Sequence, residues 1–407
     1  MTTTAVIGGG AAGMAAAIAA ARHGDHVLLF ERLDRVGKKL LATGNGRCNL
    51  MNCSAPAYPG GSDFAVTVLS RCNPAALEQF FHSLGLQLRT EDMGRVYPVS
   101  GQAASVLDAF RLALHQADVE LHPACPVHAL HLHKGGFLLS TTDGSIFAHR
   151  VIVTGGGKAQ PKLGSDGSCY ALLTGLGHHL VRPFPALTQI ETDTQPIRGL
   201  SGIRIRTEAW ITQGSQTLRR TEGEALFADY GLSGVCIMQL ARYAQGRSVQ
   251  LHLNFIRAMG FNSPATLQQE LLRRKQLWQD VPMEQLLTGL CVNRLGVALL
   301  RCAGITPLSC PVASLKSAEI DALASLAADF ALPITGVKGF DSAQVTAGGI
   351  ETSEFSPDTL CSHLVPGLHA AGEILNVDGD CGGFNLMFAF ASGLLAGCEG
   401  HLEEVLT

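Results

Sequence analysis

The sequence predicts an α/β fold built on a doubly wound, dinucleotide-binding domain that an insertion splits in two. Three observations carry this. At residues 4–22 a short apolar strand runs into a glycine-rich turn and an alanine-rich helix. A second glycine-rich turn, at 382–383, opens an apolar helix near the far end. Between them, over about 186–335, the alternation of antiparallel strands and then helical patterns replaces the α/β rhythm.

The first element is Thr4-Ala5-Val6-Ile7-Gly8, too short and apolar for anything but a buried strand. Residues 11–22 follow as a helix by propensity, and Val27–Phe30 is a second buried parallel strand. Asn73 before Pro74 reads as a helix start, and Gln102–His115 as a further helix. Strands are expected at 126–133, 136–141 and 146–153, with Asp143-Gly144 as a hairpin turn. In the middle, Ile203, Ile205, Thr207, Ala209 and Ile211 alternate with polar residues, as do Val249, Leu251, Leu253 and Phe255. Ser263-Pro264 then opens a helix to about Trp278, with further helical patterns at about 288–302 and 315–330.

Composition narrows the class. With 407 residues, 46% hydrophobic, 16% charged and 46 glycines, the chain is a globular multi-domain α/β protein. A net charge of −4 gives no global attraction to nucleic acid or anionic membranes. Neither Thr2–Ala21 nor Cys381–Cys398 reads as membrane-spanning, because both are interrupted by glycines and the first lacks a basic leader. The chain is therefore expected in the cytoplasm. None of the twelve cysteines forms a C-x-x-C pair, which argues against structural zinc and against a redox dithiol. His128, His131 and His133 cluster without an acidic or thiol partner at ligand spacing, so no metal is expected.

The strongest chemical signal is Gly8-Gly9-Gly10-Ala11-Ala12-Gly13 between strand and helix. Gly8 permits the tight turn, Gly10 lets a pyrophosphate approach the backbone, and Gly13 lets helix and strand pack closely. The N–H groups of Ala11 and Ala12 then open a helix N-terminus that favours phosphate. Glu31 follows Gly13 by eighteen residues, where a carboxylate accepts both ribose hydroxyls and disfavours a 2′-phosphate. FAD or NAD fits; NADP does not. At the far end come Gly372-Glu373, Asp378 and Gly382-Gly383-Phe384-Asn385-Leu386. A donor-rich helix start there would stabilise negative charge on a reduced flavin. Val151–Gly156, a strand ending in Thr154-Gly155-Gly156, is a third approach of the chain to the cofactor.

The run Gly37-Lys38-Lys39-Leu40-Leu41-Ala42-Thr43-Gly44-Asn45-Gly46-Arg47-Cys48-Asn49 resembles the signature loop of the BaiN-type NAD(P)/FAD-dependent oxidoreductases. Arg95–Pro98, Gly164–Gly167, Tyr230–Gly234, Thr346–Ile350 and Gly372–Leu386 resemble the same family, so the likeness spans the chain. It implies a discontinuous Rossmann-type FAD-binding domain over 1–185 and 336–407. It also implies a β-barrel insert over 186–260 and about 310–335, and a helical insert over 261–310, together roofing the active site. The implied FAD contacts come from Gly8, Gly10, Ala11, Ala12, Gly13, Glu31, Arg32, Lys39, Thr43, Asn45, Arg47, Cys48 and Val127. They continue through Thr154, Gly155, Gly372, Glu373, Asp378, Gly383, Phe384, Asn385 and Leu386. This chain departs from the family at Leu50-Met51, where a threonine often stands, at Asp229, often histidine, and at Phe384, usually tyrosine.

Chemically, the glycines of 43–49 suit a backbone close to an isoalloxazine, and Asn45 and Asn49 offer paired donors and acceptors. Arg47 is a candidate to neutralise reduced flavin or hold an anionic substrate. The triple glycine at 155–157 lacks a third spaced glycine and a following acid, so no separate nicotinamide domain is expected. NAD(P)H would then visit the flavin face that the substrate uses. The leading expectation is an NAD(P)H-dependent reductase that saturates an activated C=C bond of a small organic substrate such as a steroid-type enone. Cys48, Tyr97 and Tyr230 are its candidate proton donors. The same hydride chemistry on uridine would make a ribosomal RNA dihydrouridine synthase, using Arg198, Arg204, Arg206, Arg273, Arg274 and Lys275 as a phosphate-binding patch. A non-catalytic flavin-binding protein and an O₂-using amine oxidase are the remaining readings.

Overall fold

The computed structural model describes residues 2–245 and 248–406. The chain up to Pro185 and from Phe340 onward forms one compact unit, and Ala186–Gly339 forms a second. The first is built on a parallel α/β sheet, and the second contains a closed barrel with helices.

In the first unit five parallel strands line up in the order Leu368–Ala370, Arg150–Val153, Thr3–Ile7, His26–Phe30 and Glu120–His122. The strands read as continuous apolar runs because both sheet faces are covered; Val6, Leu29 and Ile152 are fully buried. One covering element is the first helix, Ala11–Arg22. Its alanines admit a second helix at backbone distance: the tail helix, Phe384–Gly397, whose last eleven residues are all buried. A Cβ on Gly393 would lie 2.3 Å from the Ala12 carbonyl oxygen, and one on Gly397 2.4 Å from that of Ala16. The apolar tail helix is thus a core helix. Among the described residues no helix is long and apolar enough to cross a membrane.

The C-terminal end of the tail helix is closed by Arg150, whose side chain is buried. Its guanidinium donates to the carbonyls of Ala396 and Gly397, to Thr4 Oγ1 at 3.0 Å and to Asp25 at 2.6 Å. A cation at this point satisfies carbonyls that have no helical partner and complements the helix dipole. Beside it His369 is buried, and burial, aided by the Arg150 charge, pushes its pKa down to about 4.

Beside the parallel sheet lie two three-stranded antiparallel sheets, Met51–Asn52, Arg95–Pro98 and Leu88–Thr90, and Val127–His133, Gly136–Thr141 and Gly144–Ala148, and a two-stranded sheet of Leu180–Ala186 and Val345–Ile350. The single strand expected at 146–153 is in fact two. Gly144–Ala148 closes the hairpin, and after His149 the strand Arg150–Val153 joins the parallel sheet. The two apolar runs flanking His149 and Arg150 do not reveal that they belong to different sheets. His128, His131 and His133 lie exposed along one strand. Among the described residues no group of His, Cys, Asp or Glu is arranged to hold a metal.

In the second unit the barrel runs Ile190–Thr192, Gly231–Ser233, Gln216–Ala228, Arg204–Gln213, Val249–Asn254 and Phe330–Val337. Its helices are the short Val235–Leu240, then Pro264–Leu277, with Ser263 accepting from the Thr266 N–H as cap, Asn293–Cys302 and Ser317–Ala328. The helix Ser317–Ala328 leads directly into the last barrel strand, Phe330–Val337. Four of the six basic residues expected to form a phosphate-binding patch, all but Arg198 and Lys275, are engaged inside the unit. Arg204 pairs with Glu224 at 2.6 Å, Arg206 with Glu222 at 3.7 Å, and Arg273 with Glu270 at 2.7 Å. Arg274 is buried and donates to the carbonyls of Leu286 and Thr288.

Replacing Gly393 by valine should lower stability by about 1–3 kcal/mol or more, since a backbone carbonyl cannot yield as a side chain does. A thermal melt checks this, and an unchanged Tm would show that the two helices can part. For His369 the unfolded chain binds a proton near its ordinary pKa of 6.5 while the folded chain resists until about 4. Stability should therefore fall as pH drops through that window, by up to about 3 kcal/mol. In His369→Gln the melting temperature should change less over the same range.

Candidate active site

The N-terminal turn is built by steric exclusion. Gly8 has φ +109°, and a Cβ on Gly13 would lie 1.8 Å from the Gly8 carbonyl oxygen. Thr154 Oγ1 donates to the carbonyls of Ile7 at 3.0 Å and Gly8 at 2.8 Å, which joins the strand Arg150–Val153 to the turn. Nothing lies within 4 Å of a Cβ placed on Gly10, and the first helix starts there with no side-chain cap and no acid in its first turn. A phosphate fits this start, since uncapped N–H groups face open space. Glu31, at the end of the neighbouring strand, is buried and accepts from Gly9 N–H at 2.9 Å and Leu33 N–H at 2.8 Å. Burial raises its pKa, and the two backbone donors work against that. Arg32 pairs with Asp166. Val127 opens a strand just after Cys125, whose N–H donates to the Glu31 carbonyl at 3.0 Å.

The two ends of the chain meet at a second point. Lys39 Nζ lies 2.6 Å from Glu373 Oε2, with both side chains mostly buried. Glu373 Oε1 accepts from Thr346 N–H at 2.7 Å, and Thr346 Oγ1 accepts from the N–H groups of Lys158 and Ala159. Gly372, at φ +78°, donates to Ser392 Oγ of the tail helix and packs on Ala12. Thr346 was visible only as part of a family motif; its joining role comes from the fold.

The 43–49 loop reverses direction through four residues with positive φ: Gly44, Asn45, Gly46 and Cys48. Thr43 Oγ1 donates to the Leu40 carbonyl, and Asn45 and Gly46 are exposed. Cys48 is fully buried, and burial pushes its thiol pKa up to about 12. It is a packed thiol, away from solvent. Arg47 is not a spare cation. It pairs with Glu91 at 2.5 Å and lies 4.0 Å from the centroid of the Tyr97 ring. Nothing in the sequence marked Glu91.

At the tail, Gly383 (φ +105°) precedes the helix, which again has no side-chain cap. A Cβ there would lie 2.6 Å from the Met51 carbonyl oxygen and 2.8 Å from Asn49 Oδ1. Asn49 is itself buried, and its Oδ1 has no hydrogen-bond partner. A buried acceptor beside an uncapped helix start fits a ligand carrying both donors and acceptors, as the flavin pyrimidine does. Asn385 turns its amide back on its own loop, with Gly379 N–H and C=O at 2.8 and 2.9 Å. Asp378 is buried and bridges Gly60 through its backbone. Phe384 is buried with its carbonyl held by Tyr58 OH, and Leu386 is half-buried. Tyr230 belongs to the second unit, with the Lys338 ammonium 4.5 Å from its ring centroid.

A family model described as "HI0933-like protein Rossmann domain" matches residues 2–399. The chain belongs to this family. The HI0933-like chain is 38% identical to the 3-dehydro-bile acid delta(4,6)-reductase of Clostridium scindens over 98% of both chains. It is 25% identical to the ribosomal RNA dihydrouridine synthase of Escherichia coli over 95% of both. Among solved structures it is similar to the 3-ketosteroid-delta4-(5alpha)-dehydrogenase of Rhodococcus jostii RHA1, with TM-score 0.47 and 16% identity over 98% of this chain and 96% of that one. The resemblance read from the Arg47-Cys48-Asn49 loop and the tail is thereby borne out. By fold and family the protein is an FAD-dependent oxidoreductase.

Breaking the Lys39–Glu373 pair on one side should cost more than removing it altogether. Lys39→Met strands a half-buried carboxylate and should lower stability by about 1–3 kcal/mol. The double variant Lys39→Met/Glu373→Gln should recover part of that loss, as a double-mutant cycle of thermal melts would measure. Strict additivity would mean that the pair does not couple the two ends.

Proposed function

We propose that this HI0933-like protein binds FAD in its first unit and uses NAD(P)H to saturate an activated C=C bond of a steroid-type enone. The observation that carries the reading is the uncapped start of the tail helix beside the orphan Asn49 Oδ1. When bound, FAD takes hydride from a reduced nicotinamide and returns it to an electron-poor carbon. The chain's own residues bind and orient. The N-terminal turn and the first helix take the pyrophosphate, and Glu31 takes the ribose hydroxyls once Gly9 and Leu33 share it. Gly383, Asn49 and the 43–49 loop hold the isoalloxazine, and the Lys39–Glu373–Thr346 chain fixes the segments around it. The substrate class follows the name of the 38% identical reductase.

The RNA reading draws less support from the insertion. Arg204, Arg206 and Arg273 are paired with glutamates and Arg274 is buried, which takes four of the six cations of the expected patch and weakens its counterion-releasing contacts.

Purified protein should be yellow, and anaerobic NADH or NADPH should bleach the flavin band. A Δ4- or Δ4,6-3-keto steroid should then restore the colour with one saturated product per flavin. Colourless protein, or reduced flavin that enones leave untouched while uridine-bearing ribosomal RNA reoxidises it, would overturn the proposal.

A further inference from the structure

The first unit holds three of the five tyrosines, and their environments differ sharply. Tyr58 is buried with its hydroxyl committed to the Phe384 carbonyl at 2.8 Å, and burial raises its pKa. The Tyr170 hydroxyl is sealed from solvent with no hydrogen-bond partner, and burial, with the Glu373 charge behind it, raises its pKa too. Tyr97 is only 7% exposed, yet its hydroxyl is neither sealed nor taken by any described residue. Its ring edge packs on Gly44, where an added Cβ would lie 3.7 Å from Cε1. Its strand neighbour Val96 pairs with Met51, whose carbonyl presses on Gly383 at the start of the tail helix. Over the ring lies the Arg47 guanidinium, at 4.0 Å from the centroid, and Glu91 holds both Arg47 at 2.5 Å and Arg89 at 2.7 Å. Two guanidinium groups share one carboxylate, so the cluster keeps positive charge beside the phenol.

We propose that Tyr97 is the catalytic proton donor of the reduction and that Arg47 is its positioning residue. The inference rests on the reading that the 43–49 loop meets the isoalloxazine. In the balanced step, hydride originating in NAD(P)H reaches the β-carbon of the enone while the Tyr97 hydroxyl gives its proton to the α-carbon. The C=C π pair becomes the new α C–H bond, NAD(P)⁺ and the saturated ketone are the products, and water reprotonates the phenolate. The Arg47 cation stabilises the charge that proton transfer leaves on the phenol oxygen, and stacking fixes where that oxygen points. Cys48, buried and neutral, does not compete.

The test separates the two half-reactions of the holoenzyme. Tyr97→Phe keeps the stacked ring, so it should melt like wild type, bind FAD with the same affinity in a titration of apoprotein, and bleach with NAD(P)H at an unchanged rate. Reoxidation by a Δ4-3-keto steroid should slow by about 10²–10⁴-fold. In D₂O, wild type should place deuterium on one face of the α-carbon, whereas the variant should lose that selectivity. Arg47→Met should slow reoxidation less and keep the selectivity in part. A Tyr97→Phe protein that reoxidises at the wild-type rate with one-faced labelling overturns the proposal. If wild type itself fails to bleach or to be reoxidised by enones, the functional reading falls instead, which is a distinct outcome.

Discussion

The contact on which the first unit depends is between two helix backbones. The first helix offers alanine at nearly every turn and the tail helix answers with Gly393 and Gly397, so no side chain keeps the two apart. Close approach of this kind gains dispersion across many atoms and tolerates no added methyl group. It also sets the position of both helix starts. Gly372 lies against Ala12, and the tail helix begins at Gly383 beside Asn49. Two uncapped N-termini, from segments more than 370 residues apart, are thus fixed in one body. A single dinucleotide with a pyrophosphate in its middle and a redox ring at one end suits that arrangement.

Much of this was legible in the residues. Steric rules made the Gly8–Gly13 turn readable, because each glycine there excludes a Cβ for a reason that does not depend on the rest of the fold. Helix starts at Asn73 and Ser263 were readable for the same local reason, and in both the side chain accepts an N–H three residues on. What escaped was whatever the chain decides at long range. Arg47 looked like a free cation until Glu91 came against it, and Arg274 like a surface charge until it was buried against carbonyls. The two apolar runs at 146–153 hid a change of sheet, since hydrophobic pattern reports burial and not the identity of the neighbour. Asn49 was visible as a donor and acceptor, but its unpaired oxygen emerges only once Gly383 lies beside it.

Charge is handled differently in the two units. In the second, the strand Arg204–Gln213 and its partner Gln216–Ala228 bring Arg204 and Arg206 diagonally onto Glu224 and Glu222, so that charge is balanced between neighbouring strand positions. In the first, buried ions are used to join segments. Lys39 reaches Glu373, and Arg150 gathers Thr4, Asp25 and the end of the tail helix. Such pairs add little net stability, yet each tolerates one partner only, and so they select one arrangement of segments over others.

The tail helix also has a history during synthesis. Ribosomes release the first helix early and the tail helix late, with the whole insertion made in between. Until residues 384–397 emerge, the alanine face of the first helix has no permanent cover. The insertion carries its own apolar core and can mature ahead of the domain that it interrupts. The first helix therefore waits, while the whole insertion is made, for the one segment that can lie against its backbone.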